Sequence, residues 1–375
     1  MRVIVLGAGA SHHAGYPLAS SLLTKVEEHV KCSSRVDIKR DWSKWVSFRD
    51  LCPDYLQLVV RNNNPEVVFT LPSLLRIAAK AEDSYRIQKA FNGAEISEVE
   101  EQAGMHEQYH DSPGRQFLSQ ASIALTHLSR ALDGYFLDHH MEDGQHRSKF
   151  RRKPLSNLFS PLQPGDVIIT LNWDTTAERT LAENKKWSPL DGYGFSKNLD
   201  IDSPASSNLP VPDYLATSVV RVLKLHGSVG WYTNGDSVSF ENSTYLNEFA
   251  YNHEDRTVLL TDPEYSYSHG INQLLVTPSF IKNLTHPILV KVWGAAHSAL
   301  EQADVVDVWG YSLPEADGAA RALFLGLKTR LNSGKVHVTV HDPCNATRER
   351  WLHCLGDLIH TKDEGLSSLY KTKLA

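Results

Sequence analysis

The chain has 375 residues, 41% of them hydrophobic and 22% charged, with a formal net charge of −6. That length suits one large domain with insertions, or two domains, and the mild acidity gives no global pull toward nucleic acid or an anionic membrane. No apolar stretch approaches the ~18 residues of a membrane-spanning helix, and the four cysteines, Cys32, Cys52, Cys344 and Cys354, form no C-x-x-C pair.

The N-terminal apolar run is short and leads into a glycine turn, which speaks against a signal peptide. Reduced thiols in a cytoplasm fit the scattered cysteines better than a disulfide framework or a zinc ribbon. Arg2-Val3-Ile4-Val5-Leu6 reads as a buried strand, followed at once by Gly7-Ala8-Gly9-Ala10-Ser11 and then Gly15-Tyr16-Pro17. A buried strand, a glycine turn and a helix open a dinucleotide-binding sheet. Small residues let backbone approach a pyrophosphate, and a helix start near residue 11 or 18 offers free N–H groups to it. On the G-x-G-x-x-G count His12 stands in place of the third glycine, so the turn alone supports an ordinary strand-to-helix junction equally well.

A helix is expected over 19–30, with Leu22, Leu23 and Val26 on one face. Residues 31–153 carry helical periods and few strand signals, and read as a helical insertion. Its clearest helix covers 116–136, where Phe117, Ala121, Ala124, Leu125, Leu128, Leu132 and Phe136 form one stripe. These side chains are read as core. Residues 92–114 read as an exposed connection. The basic run Arg147-Ser148-Lys149-Phe150-Arg151-Arg152-Lys153 reads as a solvated linker, with a docking patch for an acidic partner or nucleic acid as the sharper alternative.

A second buried strand over 166–171 ends in Asn172-Trp173-Asp174-Thr175-Thr176 and a helix start. Residues 184–217 read as a long loop and 232–275 as hairpin or loop, together a small loop-rich subdomain. Between them a strand over 219–225 ends in His226-Gly227-Ser228. Lys282 follows a Leu275-Val276-Thr277-Pro278-Ser279 stretch. A helix over 287–300 precedes a strand over 305–309 that ends in Gly310-Tyr311-Ser312. A helix over 319–331, a strand over 336–340 ending in His341-Asp342-Pro343, and a helix over 346–355 complete the chain.

Five strands thus end in small or polar residues, which is where parallel sheets bind ligands. The expected fold class is α/β: a Rossmann-like parallel sheet with a helical insertion, as one domain over 1–375. Residue by residue, bland alternatives stand beside the functional ones. Asn172 and Asp174 also suit a turn or helix cap, His226 also suits a satisfied structural histidine, and Asp342 before Pro343 also suits a turn. His12-His13 and His139-His140 lack metal-ligand spacing, so no metal is expected.

These blocks, in this order, resemble the sirtuin (SIR2-like) superfamily, and most of all the bacterial SIR2-like proteins of antiphage defence. The resemblance rests on Gly7, Ala8, Gly9, Ala10, Ser11, Gly15, Tyr16 and Pro17; on Thr170, Asn172 and Asp174; on His226, Gly227 and Ser228; and on Gly310 and Ser312. It covers roughly 1–30 and 160–345, leaving out the helical insertion. Two departures point away from protein deacylation: Leu18-Ala19-Ser20 follows Pro17 where deacylases have Asp-Phe-Arg, and the four zinc cysteines after the His-Gly block are missing.

The resemblance implies an NAD⁺ hydrolase that cleaves the nicotinamide–ribose bond, giving nicotinamide and ADP-ribose or a cyclic isomer, with NAD⁺ as substrate and no metal. It implies catalytic roles for Asn172 and His226, Asn172 positioning ribose and water and His226 binding a ribose hydroxyl or acting as base. Gly7 to Ser11 would cradle the pyrophosphate and Asp174 would fix the carboxamide. Gly310, Ser312 and Asp342 would hold the adenosine half, with Gly15, Tyr16, Pro17 and Gly227 completing the pocket. Family habit further implies a bacterial cytoplasmic enzyme that depletes NAD⁺ in abortive infection. Its control would come through a homo-oligomer or a partner such as a HerA-like ATPase or short Argonaute, without a membrane or direct nucleic-acid binding. A non-catalytic NAD or ADP-ribose-binding subunit is the alternative of another class, and an NAD-dependent protein deacylase the third.

Overall fold

The computed structural model describes residues 1–52, 54–71, 73–75, 113–143, 148–187, 192–193, 220–234, 237–240, 272–279, 282 and 284–370. Its strands, among the described residues, are β1 (Arg2–Leu6), β2 (Val167–Thr170), β3 (Arg221–Lys224), β4 (Gly227–Asn234), β5 (Ser237–Phe240), β6 (Asn272–Leu275), β7 (Val305–Trp309), β8 (His337–His341) and β9 (His360–Lys362). The helices include α1 (Ala8–His12), α2 (Leu22–Cys32), α3 (Val36–Leu51), α4 (Asp54–Val60), α5 (Pro113–Asp143) and α6 (Ser148–Phe159). They continue with α7 (Thr176–Glu183), α8 (Pro287–Gln302), α9 (Gly318–Leu325), α10 (Leu327–Asn332) and α11 (Asn345–Leu355).

Val3, Ile4, Val5 and Leu6 are apolar without alternation and almost fully buried. Such a strand needs cover on both faces, which a parallel sheet with flanking helices supplies. The six parallel strands lie in the order β3-β2-β1-β7-β8-β9. In chain order of these six strands that is 3-2-1-4-5-6, so the order reverses between β1 and β7. The carboxyl ends of all six point the same way. Val167, Ile168, Val306, Val308, Val338 and Val340 fill the middle of the sheet, and Leu289, Val292, Ala296, Phe324 and Trp351 pack on it from the helices. The structure is therefore an α/β fold with one six-stranded parallel sheet.

Three differences from the sequence reading have physical reasons. The expected helix over 319–331 is two helices, α9 and α10, divided at Gly326. Within 232–275 the expected hairpin is present as β4 and β5, but β4 starts earlier, at Gly227, and also pairs with β6, giving a second, antiparallel sheet in the order β5-β4-β6. The basic run from Ser148 to Lys153 lies in α6, not in a linker: Arg152 is buried and pairs with Glu183, while Leu155 and Phe159 join the core. Most of the connection expected at 92–114, and parts of the loops expected at 184–217 and 232–275, lie outside the described residues.

The chain divides into two units, Met1–Ala19 with Phe136–Val276 and Lys282–Ala375, and Ser20–Tyr135 with Thr277–Ile281. The first holds both sheets. The second is helical, with Val26, Val30, Ile38, Trp42, Trp45, Leu125, Leu128 and Leu132 buried. Within it a buried Asp41–His127 pair joins α3 to α5 at 2.8 Å. Gly134 lets Ile38 approach closely, since a Cβ there would meet Ile38 Cγ1 at 2.6 Å.

Candidate active site

All the candidate site residues read from sequence lie in the first unit. At the reversal of strand order, the turns after β1 and β7 interlock. Gly9 N–H donates to Gly310 O at 2.9 Å, and Gly7 N–H to Trp309 O at 3.1 Å. A Cβ on Gly7 would meet Tyr311 Cα at 2.4 Å, and one on Gly310 would meet Ala10 N at 2.4 Å. Gly310 also has φ of +62°, which glycine adopts without strain. The glycines are thus required first by the meeting of two backbones. The helix that begins here, α1, has five residues, with Gly7 as its N-cap.

Asn172 ties the end of β2 to this turn. Its Nδ2 donates to Gly7 O at 2.9 Å and to Ser11 Oγ at 3.0 Å. A carbonyl only accepts, so the amide orientation is fixed by chemistry and Oδ1 is left as the acceptor. That oxygen takes no hydrogen bond among the described residues.

The following loop is pinned from β3 and β4. Trp173 O accepts from Val229 N at 3.0 Å, Ser228 Oγ at 3.3 Å and Lys224 Nζ at 3.4 Å. Lys224 also donates to Asp174 O and forms a 2.9 Å pair with Glu178, both side chains fully buried. Burial pushes the Glu178 carboxyl upward, against the opposing charge of Lys224. Asp174 is buried and its Oδ1 accepts from Thr176 N at 3.0 Å, capping the entry to α7. His13 lies within the field of Asp174. Burial lowers its imidazole to about 4, while the Ala10 backbone and the Asp174 charge pull the other way.

His226 stands in the turn between β3 and β4, so Gly227 and Ser228 begin a strand in place of ending one. Gly227 has φ of +74°, and a Cβ there would lie 1.9 Å from Leu274 O. His226 Nε2 is buried and lies 3.4 Å from Asp317 Oδ2. The same Oδ2 accepts from Tyr311 OH at 2.8 Å, and Lys282 Nζ lies 3.6 Å from Oδ1. Burial raises the Asp317 carboxyl, but His226, Lys282 and the Tyr311 hydroxyl outweigh it and hold it down to about 2.

The structure therefore brings together Gly7 to Ser11, Asn172 and Gly310 as one hydrogen-bonded group. His226 follows β3 as Asn172 follows β2, and these two strands are paired, so the two residues leave neighbouring strand ends. Other predicted residues serve the frame. Gly15 O accepts from His139 Nε2 at 3.1 Å, and Tyr16 stacks on Phe136 with centroids 5.8 Å apart. Ser312 O accepts from Arg350 Nε at 2.7 Å. Asp342, at the end of β8, accepts from Cys344 N at 2.8 Å, and burial raises its carboxyl.

Sequence reasoning missed Asp317, Tyr311, Lys282, His13 and the Lys224–Glu178 pair. One signal was present: Lys224 interrupts an apolar strand, and a lysine buried there needs a partner. No group of His, Cys, Asp or Glu suited to a metal occurs among the described residues. Nor is any helix among them long and apolar enough to cross a membrane. No protein-family model matches the chain, and no curated protein matches it.

Proposed function

We propose that this chain is an NAD⁺ glycohydrolase built on a Rossmann-like sheet of the sirtuin type. The observation that carries the proposal is the Asn172 amide, locked to Gly7 O and Ser11 Oγ with its Oδ1 unclaimed, at the reversal of a 3-2-1-4-5-6 parallel sheet. Nucleotides bind at such a switch point. Oδ1 would accept from a ribose hydroxyl or orient a water. His226, in the turn after the neighbouring strand β3, would meet the ribose. Ser11 and the glycine turn would face the phosphates, with Asp174, Ser312 and Asp342 at the two ends of the dinucleotide.

The bond between nicotinamide and ribose breaks with a neutral leaving group, so positive charge develops on the sugar. Fixed acceptors aimed at that charge, and a placed water, are what the protein must supply. The family resemblance extends the proposal to a bacterial cytoplasm, antiphage NAD⁺ depletion and control by a homo-oligomer or a HerA-like ATPase.

Asp174 and His226 are each engaged by protein partners, Thr176 N and Asp317. That favours, as a second reading, a subunit that binds NAD or ADP-ribose without turnover. Incubation of the purified chain with NAD⁺, followed by chromatography of nicotinamide and ADP-ribose, separates the two. Product formation supports the hydrolase; saturable NAD⁺ binding without product, across protein concentrations, supports the binding subunit.

A further inference from the structure

The carboxylate of Asp317 has no part in the proposed chemistry so far, yet it is 2% exposed and ionised deep in the protein. A buried carboxylate needs partners. Its Oδ2 accepts from Tyr311 OH at 2.8 Å, and two further groups stand within ion-pair range without forming a hydrogen bond: His226 Nε2, itself buried with no hydrogen-bond partner, 3.4 Å from Oδ2, and Lys282 Nζ, 3.6 Å from Oδ1. Lys282 supplies the counter-charge, so the group at Oδ2 need only donate a hydrogen; it need not be a cation. A tyrosine hydroxyl and an imidazole N–H both do so.

We infer that Asp317 is the positioning carboxylate of His226, holding the ring with its proton on Nε2 and so presenting Nδ1 as the acceptor that meets the substrate. Nδ1 takes no hydrogen bond among the described residues. Asp317 precedes α9 and His226 follows β3, so the contact joins the β7 side of the sheet edge to its far end. A ring held this way cannot rotate its basic nitrogen away without leaving the carboxylate short of a donor, and which ring nitrogen carries the proton is set by the bond that the other makes. The inference rests on His226 belonging to the proposed NAD⁺ site, but the ring's proton can be located without any turnover.

The chain is labelled with ¹⁵N-histidine, and His226 is assigned by the signals lost in His226→Gln. Long-range ¹H–¹⁵N spectra then report which nitrogen of the neutral ring carries the proton. In the wild type it is Nε2. In Asp317→Asn the amide oxygen stays on the Lys282 side, where the neighbour is a donor, so the NH₂ faces the ring and the proton moves to Nδ1. NAD⁺ cleavage by that variant falls in kcat by roughly 100-fold, with KM within about twofold, as expected when an acceptor is misplaced and binding is kept. Wild-type His226 with its proton on Nδ1 overturns the inference, with no variant needed. An unchanged ring in folded Asp317→Asn overturns it too. An Nε2-protonated ring in a chain that never cleaves NAD⁺ leaves Asp317 in its role and removes the hydrolase reading instead.

Discussion

Asn172 Nδ2 and Gly7 O lie 2.9 Å apart, which makes the end of β2 and the turn after β1 a single hydrogen-bonded unit. Asn172→Asp puts an acceptor against that carbonyl. The variant is expected to lose about 1 kcal/mol of stability, the net worth of one hydrogen bond, since Gly7 O keeps the Ala10 N–H at 2.8 Å. Urea unfolding measures it, and a midpoint equal to wild type speaks against the amide as the tie between the two turns.

Gly310 combines a positive φ with a backbone contact, while Gly334 has φ of +66° and open space around its Cβ position. Gly334→Ala should cost about 1–2 kcal/mol, the price of the left-handed conformation alone. Gly310→Ala must also push Ala10 away and should cost at least about 2 kcal/mol more. Equal thermal shifts for the two variants contradict the interlock of the β1 and β7 turns.

The Lys224–Glu178 pair is wholly buried at 2.9 Å. Lys224→Met leaves a carboxyl without its counter-charge and is expected to destabilise the fold by about 3–5 kcal/mol. Adding Glu178→Leu should recover most of that loss. A single variant within about 1 kcal/mol of wild type shows that the loop at Trp173 and Asp174 stands without the pair.

His13 titrates near 4 in the folded chain against 6.5 for the free group. Its folded value is depressed, so the unfolded chain binds the proton first as pH falls. Stability from this group is full above pH 6.5 and declines toward pH 4, by about 3 kcal/mol in all. His13→Phe should flatten that part of the pH profile of unfolding. A profile identical to wild type between pH 6.5 and 4 contradicts the burial assigned to the ring.

Much of the sheet was legible because its strands are continuous apolar runs, and each of β1, β2, β3, β7 and β8 is followed by the polar or glycine residues read from sequence. Other elements carry no such mark. His360, Thr361 and Lys362 form an edge strand whose side chains are all exposed, so β9 has no apolar signature. The charges of 147–153 suggested solvent, although Arg152 turns inward to Glu183 and α6 continues to Phe159. The contact between Asn172 and Gly7 spans 165 positions, and that between His226 and Asp317 spans 91, so neither partner could be named from spacing. What sequence supplied was residue type at a strand end; which nitrogen faces which oxygen came with the fold.

The most direct measurement is nicotinamide release from NAD⁺ by wild type and Asn172→Ala, with NAD⁺ binding by equilibrium dialysis on the same folded samples. Wild type is expected to bind NAD⁺ and release nicotinamide, while Asn172→Ala releases it at least about 100-fold more slowly, as on loss of one preorganised polar group. Release by Asn172→Ala at the wild-type rate contradicts the account, as does a wild-type chain that neither binds nor cleaves NAD⁺.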